Sequence, residues 1–320
     1  MRSFDSDSYF SYSRYLKQRF KKKVHKIPIS SGLTCPTRDG SLGSDGCGFC
    51  DETGSSSFYG YKTKLKTESI KAQLESQIPE TIKRFGVNSF FAYFQSYSNT
   101  YAPLEILREI YEAALAVPNI EGICIGTRPD CLNVETLRYL ESLASARYVS
   151  IELGVQSFNE ATLIFFERRH TVKTTIDCLE LIKTHAPHVD VCLHLILGAP
   201  TDGPDVAVDS AKMVNHHMVN GVKLHQLMVL DGTRLADKWK QENFRTVAME
   251  DYAKMLLGFL EHLEPSVYIE RLFAIATKPE KCLAPDWSKV RWAPYNFLLQ
   301  YLRSSNCKQG SKITLNRSCF

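Results

Sequence analysis

Three cysteines near the start of the chain are the residues whose type and spacing most clearly indicate chemistry. Cys35, Cys47 and Cys50 form a C-x11-C-x2-C pattern in a chain of 320 residues. Thiolates bind soft metals and iron–sulfur clusters. Three glycines lie between the first two cysteines, so the chain can bend back and bring Cys35 beside the closely spaced pair. Three thiolates leave one position of a metal centre open, as a catalytic site requires.

The cysteines alone are compatible with three kinds of site. One is a structural zinc loop with a fourth ligand such as His25. Another is a thiol–disulfide oxidoreductase that uses only Cys47 and Cys50. The third is an iron–sulfur cluster that reserves one iron for a substrate. The other seven cysteines are scattered, and several lie inside apolar patterns, where a free cysteine behaves as a small hydrophobe.

The composition is that of an ordinary globular chain, with 44% hydrophobic and 23% charged residues and a net charge of +4. No apolar run reaches the roughly 18 residues that a membrane span needs, and the N-terminus lacks the apolar region of a secretory signal. We therefore expect a cytoplasmic protein with no membrane partner. In a reducing compartment its cysteines are free thiols or metal ligands.

The segment 1–24 is predicted to be a basic N-terminal segment. It holds most of a stretch of seven basic residues with no acidic residue among them, and two aromatic residues interleave with these. Such a stretch can follow a phosphate backbone and stack on bases, or it can be the solvated face of a helix. The residues are Arg14, Lys17, Arg19, Lys21, Lys22, Lys23 and Lys26, with Tyr15 and Phe20.

Apolar runs alternate with helical patterns through most of the sequence, which predicts right-handed βαβ units and a parallel sheet. The predicted fold class is α/β, a parallel partial (βα)6 TIM-like barrel over 25–273 with a C-terminal extension over 274–320. The predicted strands are 25–33, 89–94, 123–126, 148–153, 189–197, 222–230 and 267–273. The predicted helices between them include 103–116, 134–146, 159–167, 173–184, 206–219 and 248–263. In such folds the site lies on the loops that follow the strands.

Distinctive polar sequences occur after the strands, and together they carry a resemblance. The pieces are GLTCPTRDGSLGSDGCGFC, YFQSYSNTYAP, GTRPDCL, IELGVQSF, RRHT, HLILGAP, VKLHQLMVLDGT and LAPDW. In this order they resemble the radical S-adenosylmethionine (SAM) superfamily, in particular the YhcC-like family related to the catalytic subunit of Elongator. The eleven-residue gap departs from the commoner C-x3-C-x2-C but is similar to Elongator-like members. No acetyltransferase domain follows the core, so Elongator's full activity does not carry over.

The resemblance implies a radical SAM enzyme with a 4Fe–4S cluster and SAM as cofactors. Cys35, Cys47 and Cys50 would be the metal ligands and catalytic residues. The reduced cluster would cleave SAM and give a 5′-deoxyadenosyl radical that abstracts hydrogen from an unknown substrate, with an RNA base as one candidate. The implied partners are a reductant protein such as flavodoxin or ferredoxin, and tRNA or another RNA.

The resemblance also implies which residues contact SAM. Phe49 matches an aromatic near the adenine, and Arg168 matches an arginine that pairs with the SAM carboxylate. The remaining cofactor-binding candidates lie on the loops or strand ends: Ser96, Asn99, Thr100, Thr127, Glu152, Gln156, His194 and Met228. The competing interpretation for Phe49 and His194 is packing in the core. The competing interpretation for Ser96, Asn99 and Thr100 is that they form a plain turn. The alternative function is a zinc-stabilised nucleic-acid-binding protein, which leaves the polar motifs unexplained.

Overall fold

The computed structural model describes residues 8–51 and 67–313 of the chain. Segments 1–7, 52–66 and 314–320, and with them Cys319 and part of the predicted basic segment, lie outside the described residues. The helices are α1 (Tyr12–Phe20), α2 (Thr67–Phe85), α3 (Leu104–Leu115), α4 (Val134–Ala144), α5 (Glu160–Phe165), α6 (Val172–His185), α7 (Val206–His216), α8 (Arg234–Glu242), α9 (Met249–His262) and α10 (Trp292–Ser304). The strands are β1 (His25–Ile29), β2 (Phe90–Phe94), β3 (Ile120–Thr127), β4 (Tyr148–Gln156), β5 (Asp190–Leu197), β6 (Gly221–Gln226), β7 (Val229–Leu230), β8 (Tyr268–Arg271) and β9 (Cys282–Ala284).

Seven of the strands form one sheet in the order β1-β2-β3-β4-β5-β6-β8. The pairs β1·β2, β2·β3, β3·β4 and β6·β8 are parallel, and helices connect the successive strands. Every residue of β2 and β4 is buried, as expected for parallel strands whose two faces are both covered. The predicted six βα units with a trailing strand are therefore present.

The predicted strand over 222–230 is in fact two strands. β6 ends at Gln226, and β7 pairs antiparallel with β9 instead of continuing the main sheet. The side chain of Gln226 explains the break, because its Nε2 donates to the Ala274 carbonyl and its Oε1 accepts from the Ala274 amide. Leu227 then donates its amide to the Leu197 carbonyl. These bonds direct the backbone away from the main sheet after Gln226, although the residues that follow are still apolar.

The tail after Phe273 is more regular than its sequence indicates. It contains the thirteen-residue helix α10, in which Leu298, Leu299 and Leu302 are buried at helical spacing. Pro294 lies in the first turn, where its missing amide hydrogen costs nothing. Aromatic residues are spread around the helix and weaken the apolar periodicity on which a sequence prediction relies. None of the helices in the described part of the chain has the length and apolarity to cross a membrane.

The chain divides into two compact units. The first, here called the cysteine unit, comprises Leu16–Val155 and Phe166–Leu193. The second, here called the C-terminal unit, comprises the described residues of Met1–Tyr15 with Gln156–Phe165 and His194–Phe320. In the cysteine unit Phe20 packs edge-on against Phe91 and Tyr148. In the C-terminal unit Tyr15 stacks on Tyr268.

Gly122 provides a test of the strand packing in the cysteine unit. A Cβ at this position of β3 would overlap the backbone carbonyl of Tyr148 on the paired strand β4. We expect Gly122→Ala to lower the free energy of unfolding by about 2–3 kcal/mol, because overpacking against backbone has no easy relief. Gly203→Ala is the matched control, since a Cβ there meets nothing within 4 Å. Equal stability of the two variants in urea titrations would contradict this packing.

Candidate functional site

The loop that follows β1 carries the three cysteines and is folded on itself. The Arg38 amide donates to the Cys35 carbonyl, and the Gly46 amide donates to the Thr37 carbonyl. A further turn joins the Cys50 amide to the Cys47 carbonyl. Gly46 has φ +81 and faces the Arg38 guanidinium, which a Cβ would crowd, so this close approach requires glycine. The loop thereby brings residues from both ends of the eleven-residue gap together.

Cys35 is buried between its own loop and the loop after β2. Its Sγ lies 3.2 Å from the Thr37 hydroxyl oxygen, and the Ser98 hydroxyl donates to it at 3.4 Å. The Ser98 amide also donates to the carbonyl of Thr34. Because β1 and β2 are parallel, their carboxyl ends meet at one edge of the sheet. The first cysteine is thus fixed at the place where this fold class holds its sites.

Cys47 is contacted by two buried arginines. The Arg168 Nη1 donates to its Sγ at 3.1 Å and the Arg128 Nη1 at 3.4 Å. Burial opposes ionisation of this thiol, but the two guanidinium charges and their hydrogen bonds together outweigh it. The pKa of Cys47 therefore lies below its ordinary value. A thiol held in this way is suited to be a metal-binding thiolate.

Each of the two arginines is held by further hydrogen bonds. Arg128 forms a two-pronged ion pair with Asp130, at 2.8 and 2.7 Å, and also donates to the Arg168 carbonyl. Arg168 donates to the Gly154 carbonyl at 2.6 Å and to the His170 Nε2 at 3.3 Å. Arg128 and Arg168 are only 3% and 5% exposed, so water screens their charges little.

Cys50 has the opposite electrostatic setting. Burial and the neighbouring Cys47 raise the pKa of its thiol to about 11, while Arg38 opposes this. Arg38 donates to the backbone carbonyls of Cys50 and Asp51 at 3.2 and 2.5 Å, and its guanidinium lies over the Tyr97 ring. A metal centre would have to displace the Cys50 proton, whereas Cys47 is already disposed to lose its own.

A single-ion zinc site has little support in this geometry. Within residues 8–51 and 67–313, no group of three His, Cys, Asp or Glu side chains is arranged to hold one metal ion. His25, the fourth ligand considered for zinc, is at the amino end of β1 and stacks on Phe85, whereas Cys35 follows the carboxyl end of that strand. A cluster takes its thiolates on different irons, so its ligands stand farther apart than those of one ion. The donor set of three thiols beside buried arginines fits a cluster.

Three of the predicted SAM contacts are engaged in hydrogen bonds within the protein. The Asn99 amide group donates to the carbonyls of Phe94, Ser96 and Gly126, and its Oδ1 lies 2.5 Å from the Ser31 hydroxyl. The Thr100 hydroxyl lies 2.6 Å from that of Thr127 and donates to the Cys131 carbonyl. These side chains join the loops after β1, β2 and β3. Their contact with SAM stays a prediction.

Glu152 and Phe49 also have defined neighbours in the cysteine unit. The carboxylate of Glu152 on β4 accepts from the Lys26 ammonium and from the Tyr93 hydroxyl, both at 2.6 Å. A buried carboxylate needs partners of this kind. Phe49 packs edge-on against Phe166, and the Arg168 guanidinium lies 5.9 Å from its ring centre. Ser96 is buried in the loop after β2.

The remaining predicted residues belong to the C-terminal unit and are described there alone. Gln156 is buried at the end of β4 with φ +69, a conformation that a residue with a side chain seldom adopts. His194 on β5 contacts His225 on β6, with 2.6 Å between their Nε2 atoms. Met228 is half-buried between β6 and β7.

Sequence reasoning missed the roles of several residues near the cysteines. Arg128 and Asp130 lie in the GTRPDCL piece after β3, which indicates that they face the mouth of the barrel but not that Arg128 contacts Cys47, and no pattern singles out Arg38 or Ser98. A basic residue inside the cysteine loop and another directly after a strand are weak signals, because surface arginines are common. The burial of Arg128 is what distinguishes it, and burial depends on the tertiary structure.

Two family models match the chain. The one described as Radical SAM superfamily matches residues 37–214, and the one described as Radical_SAM C-terminal domain matches residues 219–304. The chain belongs to the radical SAM superfamily. It is therefore an enzyme of the radical SAM class, with SAM and a 4Fe–4S cluster as its cofactors, and the predicted reductive cleavage of SAM is confirmed at that general level. The boundaries predicted at 24 and 273 stay predictions.

Individual relatives agree with this membership. Protein YhcC of Escherichia coli is 32% identical over 299 residues, which are 93% of this chain and 93% of that protein. The tRNA uridine(34) acetyltransferase of Methanocaldococcus jannaschii is 31% identical over 148 residues, 42% of this chain and 26% of that enzyme. The structure of Methanocaldococcus infernus Elp3 covers 90% of this chain and 64% of its own, with a TM-score of 0.65 at 16% identity. The expected kinship with YhcC and Elongator and the partial-barrel fold class are confirmed.

The pKa of His170 provides a test of the electrostatics around Cys47. Burial, followed by the charges of Arg168 and Arg128, lowers this pKa to about 3. The unfolded chain takes up a proton below about pH 6.5, whereas the folded chain does not, so folding stability must fall as the pH drops from 6.5 toward 3. We expect His170→Gln to flatten this dependence by up to about 1.4 kcal/mol per pH unit.

The measurement is the free energy of unfolding in urea at several pH values between about 7.5 and 5. His188→Gln is the control, because His188 is exposed and pairs with Glu141 at the surface. A slope in His170→Gln equal to that of the parent chain would show that His170 does not remain neutral in the folded protein.

Proposed function

We propose that Cys35, Cys47 and Cys50 bind three irons of the 4Fe–4S cluster, and that SAM binds at the fourth. When bound, the cluster supplies the electron that cleaves SAM to methionine and a 5′-deoxyadenosyl radical, which abstracts hydrogen from the substrate. The observation that carries the proposal is the pair of buried arginines that donate to the Cys47 Sγ. Two fixed cations beside a thiol stabilise the thiolate that iron requires.

The residues around the cysteines have separable tasks in this proposal. Arg128, held by Asp130, offsets the negative charge of the thiolates. Arg168 does the same and is the proposed partner of the SAM carboxylate, for which a guanidinium has suitable donor geometry. Phe49 and Phe166 exclude water from this side of the loop. Ser96, Gln156, His194 and Met228 are proposed contacts of SAM.

Asn99, Thr100 and Thr127 have a different task in the proposal. Their hydrogen bonds fix the loops after β2 and β3 against each other and against the cysteine loop. We therefore propose that they position Ser96 and the cysteines, in addition to any contact with SAM. Glu152 accepts hydrogen bonds from Lys26 and Tyr93. We propose that these three side chains together face SAM.

The proposed substrate is an RNA base, with tRNA as the first candidate. One support is the partial match to a tRNA uridine(34) acetyltransferase, although the matched part is 26% of that enzyme. The other is the basic stretch of α1 and the residues after it. Arg14, Lys17, Lys21 and Lys23 are exposed there, whereas Arg19 and Lys22 pair with Asp190 and Glu121. The proposal includes a cytoplasmic location and a flavodoxin or ferredoxin as reductant.

The chemistry is tested by assaying 5′-deoxyadenosine in anaerobically reconstituted, reduced protein with SAM. We expect the parent chain to form this product, and Cys35→Ala, Cys47→Ala and Cys50→Ala to lose it together with most of the iron and sulfide. Cys307→Ala is the control, because Cys307 is a buried thiol of the C-terminal unit. A colourless protein that retains one zinc and forms no 5′-deoxyadenosine would favour the zinc-stabilised nucleic-acid-binding alternative.

RNA binding is tested by the salt dependence of tRNA affinity. We expect the double variant Lys21→Gln/Lys23→Gln to bind tRNA more weakly and to lower the slope of log K against log salt by about 0.7–0.9 per lost phosphate contact. Lys254→Gln is the control, since Lys254 is an exposed lysine that pairs with Asp251 on α9. An unchanged slope in the double variant would exclude this segment from the RNA interface.

A further inference from the structure

A second polar cluster lies in the C-terminal unit and consists of His194, His225 and Arg271. The Nε2 atoms of the two histidines are 2.6 Å apart, and the Arg271 Nη1 is 3.3 Å from the same His225 nitrogen. The three residues come from β5, β6 and β8. Arg271 is opposite Lys223 in the parallel pairing of β6 and β8, and its side chain reaches two residues along the strand to His225.

The hydrogen-bonding pattern fixes where the protons are. A guanidinium only donates, so the His225 Nε2 must be the acceptor toward Arg271. The Nε2 of His194 must then carry a hydrogen and donate to the same atom. Burial, His194, Arg271 and Lys223 all lower the pKa of His225, which agrees with a neutral ring. One nitrogen lone pair therefore receives two donors.

The cluster has more donors than acceptors. Arg271 is exposed, and the structure shows no second hydrogen-bond acceptor for it among the described residues. Lys223, the next cation, is paired with Glu270 at 3.2 Å. His194 and His225 are both partly accessible from the less buried face of their strands. A ligand that brings several acceptor atoms and a negative charge would satisfy this cluster.

We propose that His194, His225 and Arg271 form a binding site for the phosphate group of a ligand. A phosphate offers oxygen acceptors to all three side chains at once, and Arg271 can meet it with two parallel N–H groups. A metal ion is a less suitable ligand for these histidines, because the Arg271 guanidinium points at the His225 Nε2, which would have to bind the metal. His194 is also a proposed contact of SAM, so the phosphate site is tested on the chain without SAM, and the result does not depend on whether SAM is cleaved.

The proposal has a specific pH dependence. The groups that face His225 are His194 on β5, Lys223 on its own strand, and Arg271 and Glu270 on β8. A bound oxyanion favours the protonated form of His225, so binding takes up a proton. Affinity must then rise as the pH falls, by at most about tenfold per pH unit for one proton.

The test is isothermal titration of the 320-residue chain with sodium sulfate and with inorganic phosphate at about pH 6 and about pH 7.5. Sulfate keeps its charge over this range, so its pH dependence reports the protein alone. We expect both ions to bind, sulfate more tightly at the lower pH. We expect Arg271→Gln to weaken binding by about tenfold or more, and His225→Gln to remove most of the pH dependence. Arg303→Gln and His188→Gln, which replace exposed residues elsewhere, are the matched controls.

The same titration with uridine monophosphate and a short single-stranded RNA identifies the source of the phosphate. If uridine monophosphate or the RNA binds more tightly than inorganic phosphate, and Arg271→Gln loses this binding, the site belongs to a nucleotide or to RNA. If the affinities are equal, the site belongs to free phosphate. No heat with any of these ligands at about 10 mM, or equal affinities in Arg271→Gln and the parent chain, would overturn the proposal. Arg271 is exposed, so its replacement leaves the core unchanged even if His225→Gln fails to fold.

Discussion

The two guanidinium groups that meet the Cys47 Sγ are the interaction on which the rest of the cysteine unit depends. A buried cation is costly unless it is paired, and here each arginine is held by several acceptors. Asp130, the Arg168 carbonyl and the Gly154 carbonyl supply these acceptors. The loop after β3, strand β4 and the segment after α5 are therefore fixed around one sulfur atom. N–H donors to a cluster thiolate also tune its reduction potential, so the same contacts are relevant to electron transfer.

The neutral hydrogen bonds complement this charged centre. Asn99 is fully buried, and its amide group joins the loop after β2 to the end of β3 and to the segment before Cys35. Ser98 contacts the Cys35 Sγ from that same loop. In a parallel sheet the carboxyl ends of neighbouring strands lie side by side, so short loops after them can reach one another. The fold thus brings the cysteine loop and the polar loops after β2 and β3 to one edge.

Much of this arrangement could be predicted from the sequence because it is local. The alternation of apolar strands with helices indicated the parallel fold. The spacing of Cys35, Cys47 and Cys50 indicated a thiol site, and the resemblance carried by the polar motifs implied that this site holds a cluster. Features set by distant contacts could not be predicted. The break after Gln226 depends on the Ala274 backbone, and one partner of Glu152 is Lys26, more than a hundred positions earlier in the chain. The helix α10 was missed because aromatic residues weaken its apolar periodicity.

The most direct test of the central claim is electron paramagnetic resonance of the reconstituted, reduced protein before and after addition of SAM. If three thiolates hold a 4Fe–4S cluster with one iron open, the reduced protein gives a cluster signal whose g values shift when SAM binds that iron. The account predicts this shift, and predicts that the signal is lost in Cys47→Ala. A cluster signal that SAM leaves unchanged, or a protein that incorporates no iron and sulfide, would contradict it.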